Sequence, residues 1–124
     1  MRNRSATYYA EAVFSALADP TRRAVLDLLQ RGSLPAGRIA RAFPVTRPAI
    51  SKHLRLLRRA HLVHERRQGR FRFYRLNPAP LQVVDSWLEH YRAFWRSSLA
   101  NLESSVETQS AKKTFRSKRS KRNK

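Results

Sequence analysis

Apolar residues recur every three or four positions through the first half of the chain, which predicts a series of short helices. A first helix is expected over residues 8–17. Asp19 and Pro20 then mark a second start, because an aspartate accepts from free N–H groups and a proline at the first position needs no acceptor. Gly32 is expected to end that helix, and a third, short helix begins near Pro35.

A fourth helix carries the clearest apolar face. Thr46 can cap its N-terminus, and Ile50, Leu54 and Leu57 follow at a spacing that points one way. Only residues 44–46 separate it from the third helix. Two short helices joined by so tight a turn are typical of a helix-turn-helix.

The pattern then changes to that of strands and returns to a helix. Residues 62–77 are rich in Val, Phe and Tyr, and Gly69 near their centre can adopt the positive φ of a hairpin turn. The alternation breaks at Tyr74, which leaves open which face of the hairpin is buried. After Pro80, an apolar stripe continues for about seven turns and predicts one long helix.

The distribution of charge along the chain indicates what kind of partner the protein binds. The chain has 27 Lys and Arg against 8 Asp and Glu, a net charge of +19. Residues 38–75 hold twelve bases and one acid, residues 108–124 hold eight bases and no acid, and the remaining segments are balanced. Because each neutralised phosphate releases condensed counterions, so localised an excess favours a polyanionic partner. General surface decoration by arginine would not leave the flanking segments neutral.

Composition excludes several other classes. The chain of 124 residues has no cysteine, so it forms no disulfide, thiolate metal site or cysteine nucleophile. Its four histidines and eight carboxylates show no catalytic spacing, and three glycines are too few for a phosphate-cradling loop, so we expect no enzyme. One histidine, His90, beside Asp85 and Glu89 makes a four-ligand metal site improbable, and we expect no cofactor. Without an apolar run of about 18 residues, we expect a cytoplasmic protein with no membrane partner.

Several motifs together resemble a known family. The segments that carry the resemblance are Asp19-Pro20-Thr21-Arg22-Arg23, Ser51-Lys52-His53-Leu54, Gly69-Arg70 and Tyr74-Arg75-Leu76. Over about residues 10–105 the chain resembles the ArsR family of winged-helix repressors, and its aromatic last helix is similar to the branch without metal-sensing cysteines. The resemblance implies a homodimer that binds operator DNA and represses transcription. Which effector, if any, releases it is left open.

The outward face of the fourth helix supplies the candidate base-reading groups, since the N-terminal part of a recognition helix reaches base edges. The candidate DNA-contacting residues of this helix are Thr46, Arg47, Pro48, Ala49, Ser51, Lys52 and Arg55. Arg47 and Arg55 suit bidentate contacts with guanine O6 and N7. Ser51 and Lys52 suit phosphates or a single base acceptor, and the small residues after Arg47 permit contact with thymine methyls. The alternative is a solvated basic face. His53 is expected to be a packed, hydrogen-bonded histidine.

The hairpin tip is a second candidate contact. Arg66, Arg67, Gly69 and Arg70 place three guanidinium groups around a flexible turn. Such a tip suits a narrow minor groove, where negative potential is concentrated. The alternative is a hairpin kept soluble by its charge.

The last helix carries more aromatic surface than so small a chain can cover, which favours an isologous dimer through the first and last helices. The candidate interface residues are Tyr9, Val13, Leu17, Leu88, Tyr91, Trp95, Leu99 and Leu102. A ligand pocket along the aromatic stripe is the alternative.

The sequence thus predicts a mainly α, winged helix-turn-helix domain with a small β-hairpin over residues 8–107. A disordered N-terminus, 1–7, precedes it and a basic, disordered tail, 108–124, follows. The predicted function is a sequence-specific regulator of transcription, a homodimeric repressor bound to a pseudo-palindrome in double-stranded DNA. A non-specific nucleic-acid packing protein or an RNA-binding protein is the alternative.

Overall fold

The computed structural model describes the backbone of residues 4–122 and the side chains of residues 7–103. Its elements, in chain order, are α1 (Arg4–Leu17), α2 (Pro20–Leu29), β1 (Leu34–Pro35), α3 (Ala36–Arg41), α4 (Arg47–Arg59), β2 (Val63–Gln68), β3 (Phe71–Leu76) and α5 (Leu81–Arg122). The predicted order of three helices, a turn, a fourth helix, a hairpin and a long helix is confirmed.

The local signals for starting and ending α2 act as the sequence predicts. Asp19 has extended backbone geometry, and its carboxylate accepts from the backbone N–H of Arg22 at 3.0 Å. Pro20 occupies the first turn. Gly32, at φ 138°, donates its N–H to the carbonyl of Leu29 at 3.1 Å and turns the chain away from the helix.

The sheet contains one strand that the sequence pattern does not reveal. β1 pairs antiparallel with β3, Leu34 opposite Tyr74 and Pro35 opposite Phe73, which gives the order β1-β3-β2. A two-residue strand is too short to show any alternation. α3 also ends at Arg41, sooner than the expected stop at Pro44.

The core lies between the first four helices and one face of the sheet. Its fully or nearly buried apolar side chains are Val13, Ala16, Val25, Leu26, Leu29, Ile39, Ile50, Leu54, Leu57, Ala60, Leu62, Val63 and Tyr74. The predicted inward face of α4 is therefore confirmed. Burial of Val63 and Tyr74 also settles the open question of the hairpin: the face that carries these two side chains packs on the core.

The chain divides into two compact units after Ser86. The first holds the four helices and the sheet, and the second is the remainder of α5. The structure differs from the sequence prediction at both ends, because α1 begins at Arg4 and α5 continues to Arg122, where disorder is expected for 1–7 and 108–124. No Gly or Pro follows Pro80, so nothing in the sequence interrupts α5. Residues 1–3 and 123–124 lie outside the described part.

No described helix combines the length and the apolar character that crossing a membrane requires.

Candidate nucleic-acid interface

The start of α4 is held by its own cap. Thr46 has extended backbone geometry, and its Oγ1 accepts from the N–H of Ala49 at 3.2 Å, as the sequence predicts. Pro48 lies in the first turn, where its missing N–H leaves no hydrogen bond unmade. The Thr46 oxygen thereby fixes where α4 begins, and the O–H of the same hydroxyl can still donate to another group.

Most of the predicted DNA-contacting residues of α4 lie on its outward side. Pro48, Ser51, Lys52 and Arg55 are exposed on the side away from the buried stripe. Arg47, at the first position of the helix, is exposed although it precedes Leu54 by one heptad, and Ala49 is partly buried. Within the described residues, the cationic groups of Arg47, Lys52 and Arg55 form no ion pair or hydrogen bond with another side chain. Three unpaired cations on the first turns of a well-packed helix are an arrangement suited to an anionic surface.

The side chain of Arg47 passes close to the preceding helix. A Cβ built on Gly37 would lie 4.0 Å from a terminal guanidinium nitrogen (Nη2) of Arg47. This is ordinary van der Waals contact, so a methyl group fits at position 37 and a longer side chain would meet the guanidinium. The helix-turn-helix thus brings α3 alongside the first arginine of α4.

The hairpin between β2 and β3, here called the wing, places its four predicted contact residues at an exposed tip. Gly69 turns the chain at φ 62°, and Arg66, Arg67 and Arg70 surround it, all exposed. Arg67 lies directly opposite Arg72 in the ladder. Like charges in opposed positions destabilise a hairpin, so this pairing raises the positive potential of the tip at the expense of its stability.

One acidic residue binds the wing to α4, and sequence reasoning missed it. The carboxylate of Glu65 lies 2.8 Å from a guanidinium nitrogen of Arg58 at the end of α4 and 3.7 Å from Nε of Arg72. It also accepts from the hydroxyl of Tyr74 at 3.3 Å. Burial and the Glu65 charge raise the pKa of Tyr74. The signal available in the sequence was that Glu65 is the single acid among twelve bases.

A second missed residue, Arg22, joins three helices. Its guanidinium donates to the carbonyls of Ala16 at 2.7 Å and Ser15 at 3.0 Å, which end α1, and lies 3.2 Å from Nδ1 of His53 on α4. The expectation of a packed, hydrogen-bonded His53 is confirmed. The N–H of Arg22 holds the pKa of Asp19 below its usual range, with a smaller contribution from His53. Arg22, His53 and Asp19 hold the middle of α4 against α1 and α2, on the side away from the predicted DNA contacts.

Of the proposed interface residues on α1, two have surface to offer a second copy. Tyr9 is partly buried, with its ring 5.9 Å from that of His61, and Leu17 is partly buried as well. Val13 is 0% exposed and packs wholly within its own core, so the sequence prediction of Val13 as an interface residue is wrong. The apolar spacing of α1 identified an apolar face but not the neighbour that covers it.

The α5 residues of the second unit form an exposed apolar stripe. Tyr91, Trp95, Leu99 and Leu102 are between 44% and 60% exposed, and Leu88 is partly buried. Trp87 and Phe94, which belong to the aromatic surface of this helix, are also exposed, and the rings of Trp87 and Tyr91 lie 5.1 Å apart. A contiguous stripe of this many exposed aromatic and leucine side chains is unusual on a monomer in water.

Among the described side chains, no three His, Asp or Glu residues come together as metal ligands would.

Comparison with known proteins finds similarity to helix-turn-helix transcriptional regulators. A family model described as a helix-turn-helix domain matches residues 17–66. The transcriptional repressor SdpR of Bacillus subtilis is 43% identical over 79 residues, which cover 64% of this chain and 88% of SdpR. The HTH-type transcriptional regulator Rv2034 of Mycobacterium tuberculosis is 37% identical over 99 residues, 80% of this chain and 90% of that protein.

Solved structures agree with these relatives. The crystal structure of an ArsR family transcriptional regulator matches with a TM-score of 0.68 at 33% identity, covering 78% of this chain and 98% of the other. An ArsR-like regulator from a Rhodococcus species matches with a TM-score of 0.62 at 36% identity, covering 79% and 92%. The helix-turn-helix, the wing and these similarities together show that the chain belongs to the ArsR family of winged helix-turn-helix regulators, which bind specific DNA sequences to control transcription.

Proposed function

We propose that the protein is a homodimeric repressor that places α4 of each copy in the major groove of a pseudo-palindromic operator. In each half-site, Arg47 and Arg55 contact guanine O6 and N7 in bidentate geometry. Ser51 and Lys52 bind phosphates and fix the register of the helix. The small residues Pro48 and Ala49, with Thr46 at the cap, allow the start of α4 to approach thymine methyls closely.

The observation that carries this proposal is the set of unpaired cations on α4. Arg47, Lys52 and Arg55 are exposed and free of acidic partners within the described residues, on a helix whose other side is fully buried. The one acid of the basic segment, Glu65, is engaged with Arg58 at the far end of α4. The positive potential of the first turns is therefore not neutralised by an ion pair among residues 7–103.

The wing extends the proposed contact along the duplex. Arg66, Arg67 and Arg70 at its tip enter the minor groove beside each half-site, where a narrow A·T-rich segment attracts guanidinium groups. The ion pair between Glu65 and Arg58 links the wing to α4, which supports both elements engaging DNA in one register.

Dimerisation supplies the two-fold symmetry of the operator. The exposed stripe of α5, Tyr91 to Leu102, packs against the same stripe of a second copy, and Tyr9 and Leu17 add the surface of α1. Two recognition helices about one turn of DNA apart then read a pseudo-palindrome. Repression follows by occupancy of the promoter, and the similar SdpR carries the name of a transcriptional repressor.

A titration with two duplexes tests the proposal. The full-length protein is used to select a duplex from a random pool, and fluorescence anisotropy compares this duplex with a scrambled one at about 150 mM salt. We expect clear discrimination, and we expect R47A/R55A to reduce it by about 1–3 kcal/mol per lost bidentate contact.

The matched control is R31A/R96A, which removes the same charge from two exposed arginines outside the proposed surface. It should lower affinity for both duplexes slightly and equally, through charge alone. Equal affinity of the unaltered protein for selected and scrambled DNA would reject sequence-specific regulation. Stronger binding to an RNA of the same sequence would point instead to an RNA-binding or nucleic-acid packing protein.

A further inference from the structure

The tip of the wing carries an apolar ring that the fold does not use. Phe71 is 60% exposed, whereas Tyr74 in the same strand is 6% exposed and lies in the core. The aromatic neighbour of Phe71 is Phe73, which meets it edge to face at a centroid distance of 6.4 Å. Phe71 therefore adds little to the core, and its exposure needs another explanation.

The position of Phe71 in the hairpin is the outermost one. It pairs with Gln68 as the last rung of the ladder, and only the two turn residues, Gly69 and Arg70, lie beyond. Arg66 pairs with Phe73, so Arg66, Gln68 and both phenylalanines share one face of the wing. The ring thus stands at the part of the wing that projects farthest from the core.

Four arginines lie near Phe71 in the hairpin. Arg66 shares its face, Arg67 and Arg72 form an opposed pair on the other face, and Arg70 precedes it in the turn, all exposed. Arg67 and Arg70 have no ion pair or hydrogen bond with another side chain in the part of the chain whose side chains are described. A second protein surface would have to supply several carboxylates to this tip, whereas the two phosphate walls of a DNA groove supply the complementary charge on both sides.

We propose that Phe71 is an apolar DNA contact that enters the minor groove with the arginines of the wing; this inference rests on the proposed function. The flanking arginines bind the phosphates that line the groove, and the ring packs against the deoxyribose walls and the groove floor. Apolar side chains serve this purpose in proteins that bind the minor groove. The floor is open under A·T pairs and blocked under G·C pairs by the 2-amino group of guanine. Phe71 thereby adds a preference for A·T pairs beside each half-site.

Inosine separates the two grooves in the test. An I·C pair presents the minor groove of A·T, because it lacks the 2-amino group, and the major groove of G·C. The full-length protein is titrated by anisotropy against the selected duplex with A·T, I·C or G·C pairs in the segments flanking the half-sites. We expect equal affinity for the A·T and I·C flanks and about tenfold weaker binding to the G·C flanks.

Variants assign the effect to the ring. F71A should lose most of the roughly tenfold affinity advantage on the A·T flanks, keep only the weaker preference that the wing arginines supply, and keep the salt dependence of the unaltered protein. F71L should retain most of the preference. R70A should reduce the steepness of log K against log salt by about two, since each copy of the dimer loses one phosphate contact. Because Phe71 is exposed, thermal unfolding of F71A should match that of the unaltered protein.

Three results would overturn the inference: F71A that prefers A·T flanks as strongly as the unaltered protein, F71A with a clearly lower unfolding temperature, or F71A with an altered oligomeric state in sedimentation. The first would assign the preference to arginine alone, the second would make the ring structural, and the third would place it at a contact between copies. The proposed function is judged separately, by the discrimination between selected and scrambled duplexes and its reduction in R47A/R55A.

Discussion

The guanidinium of Arg22, at the start of α2, lies 3.2 Å from Nδ1 of His53 in the middle of α4. The guanidinium is only a donor and faces this ring nitrogen, and the same Nδ1 lies 3.8 Å from a carboxylate oxygen of Asp19. The same guanidinium caps the last carbonyls of α1 at Ser15 and Ala16, so one side chain fixes three helices against one another.

Replacing Arg22 by alanine should lower the free energy of unfolding by about 3 kcal/mol, because it removes several hydrogen bonds from a charged donor and leaves partly buried acceptors unpaired. Urea unfolding at pH 7 measures the change. R23A is the matched control, since Arg23 donates from an exposed position to one carbonyl, that of Leu17 at 2.7 Å. Its loss should cost about 1 kcal/mol. Equal effects of the two variants would contradict the bracing role of Arg22.

Stability should fall in acid partly through Asp19. Its pKa is lowered in the folded state, chiefly by the N–H of Arg22. The stabilisation is therefore complete above the unfolded value of about 3.9 and is lost as the pH falls through the folded pKa. D19N keeps a good N-cap but cannot ionise. Urea unfolding between about pH 2 and 6 should show a smaller decline for D19N, and parallel curves for the two proteins would exclude this contribution.

The stability of the fold should also fall at alkaline pH, through Tyr74. Its folded pKa is raised, first by burial and then by the charge of Glu65. The stabilisation is thus complete below the unfolded value of about 10 and is lost as the pH rises through the folded pKa. E65Q should lower the Tyr74 pKa while leaving it above the ordinary value. Alkaline titration of tyrosinate absorbance measures the Tyr74 pKa in the unaltered protein and in E65Q, with the Y74F curve subtracted to isolate this phenol. An unchanged Tyr74 titration in E65Q would show that Glu65 does not contribute to the raised pKa.

The α5 stripe should hold the dimer together. L102E introduces a carboxylate into the proposed apolar contact, and we expect it to convert the dimer to monomer at tens of micromolar protein. Sedimentation equilibrium measures the mass. Ser97 lies on the opposite side of the helix from Leu88 and is exposed, so S97E adds the same charge and should remain dimeric. A monomeric unaltered protein at this concentration would refute the proposed interface.

The sequence predicted those features that depend on neighbours along the chain. The cap at Thr46, the inward stripe of α4 and the positive φ of Gly69 each follow from a few consecutive residues. The contacts of Arg22 and Glu65 could not be predicted in this way, because His53 is 31 positions from Arg22 and the choice among several arginines as partners of Glu65 is made by the packing. The prediction of Val13 as an interface residue was wrong for a related reason. Helical spacing identifies the apolar side of α1, but it does not show whether that side is covered by the same chain or by a second copy.

The close approach of Gly37 to Arg47 has a consequence for the proposed complex with DNA. A methyl group fits at position 37, whereas a longer side chain would meet the Arg47 guanidinium. In that complex we expect a substitution at position 37, on α3, to restrict the directions from which Arg47 can approach a base pair.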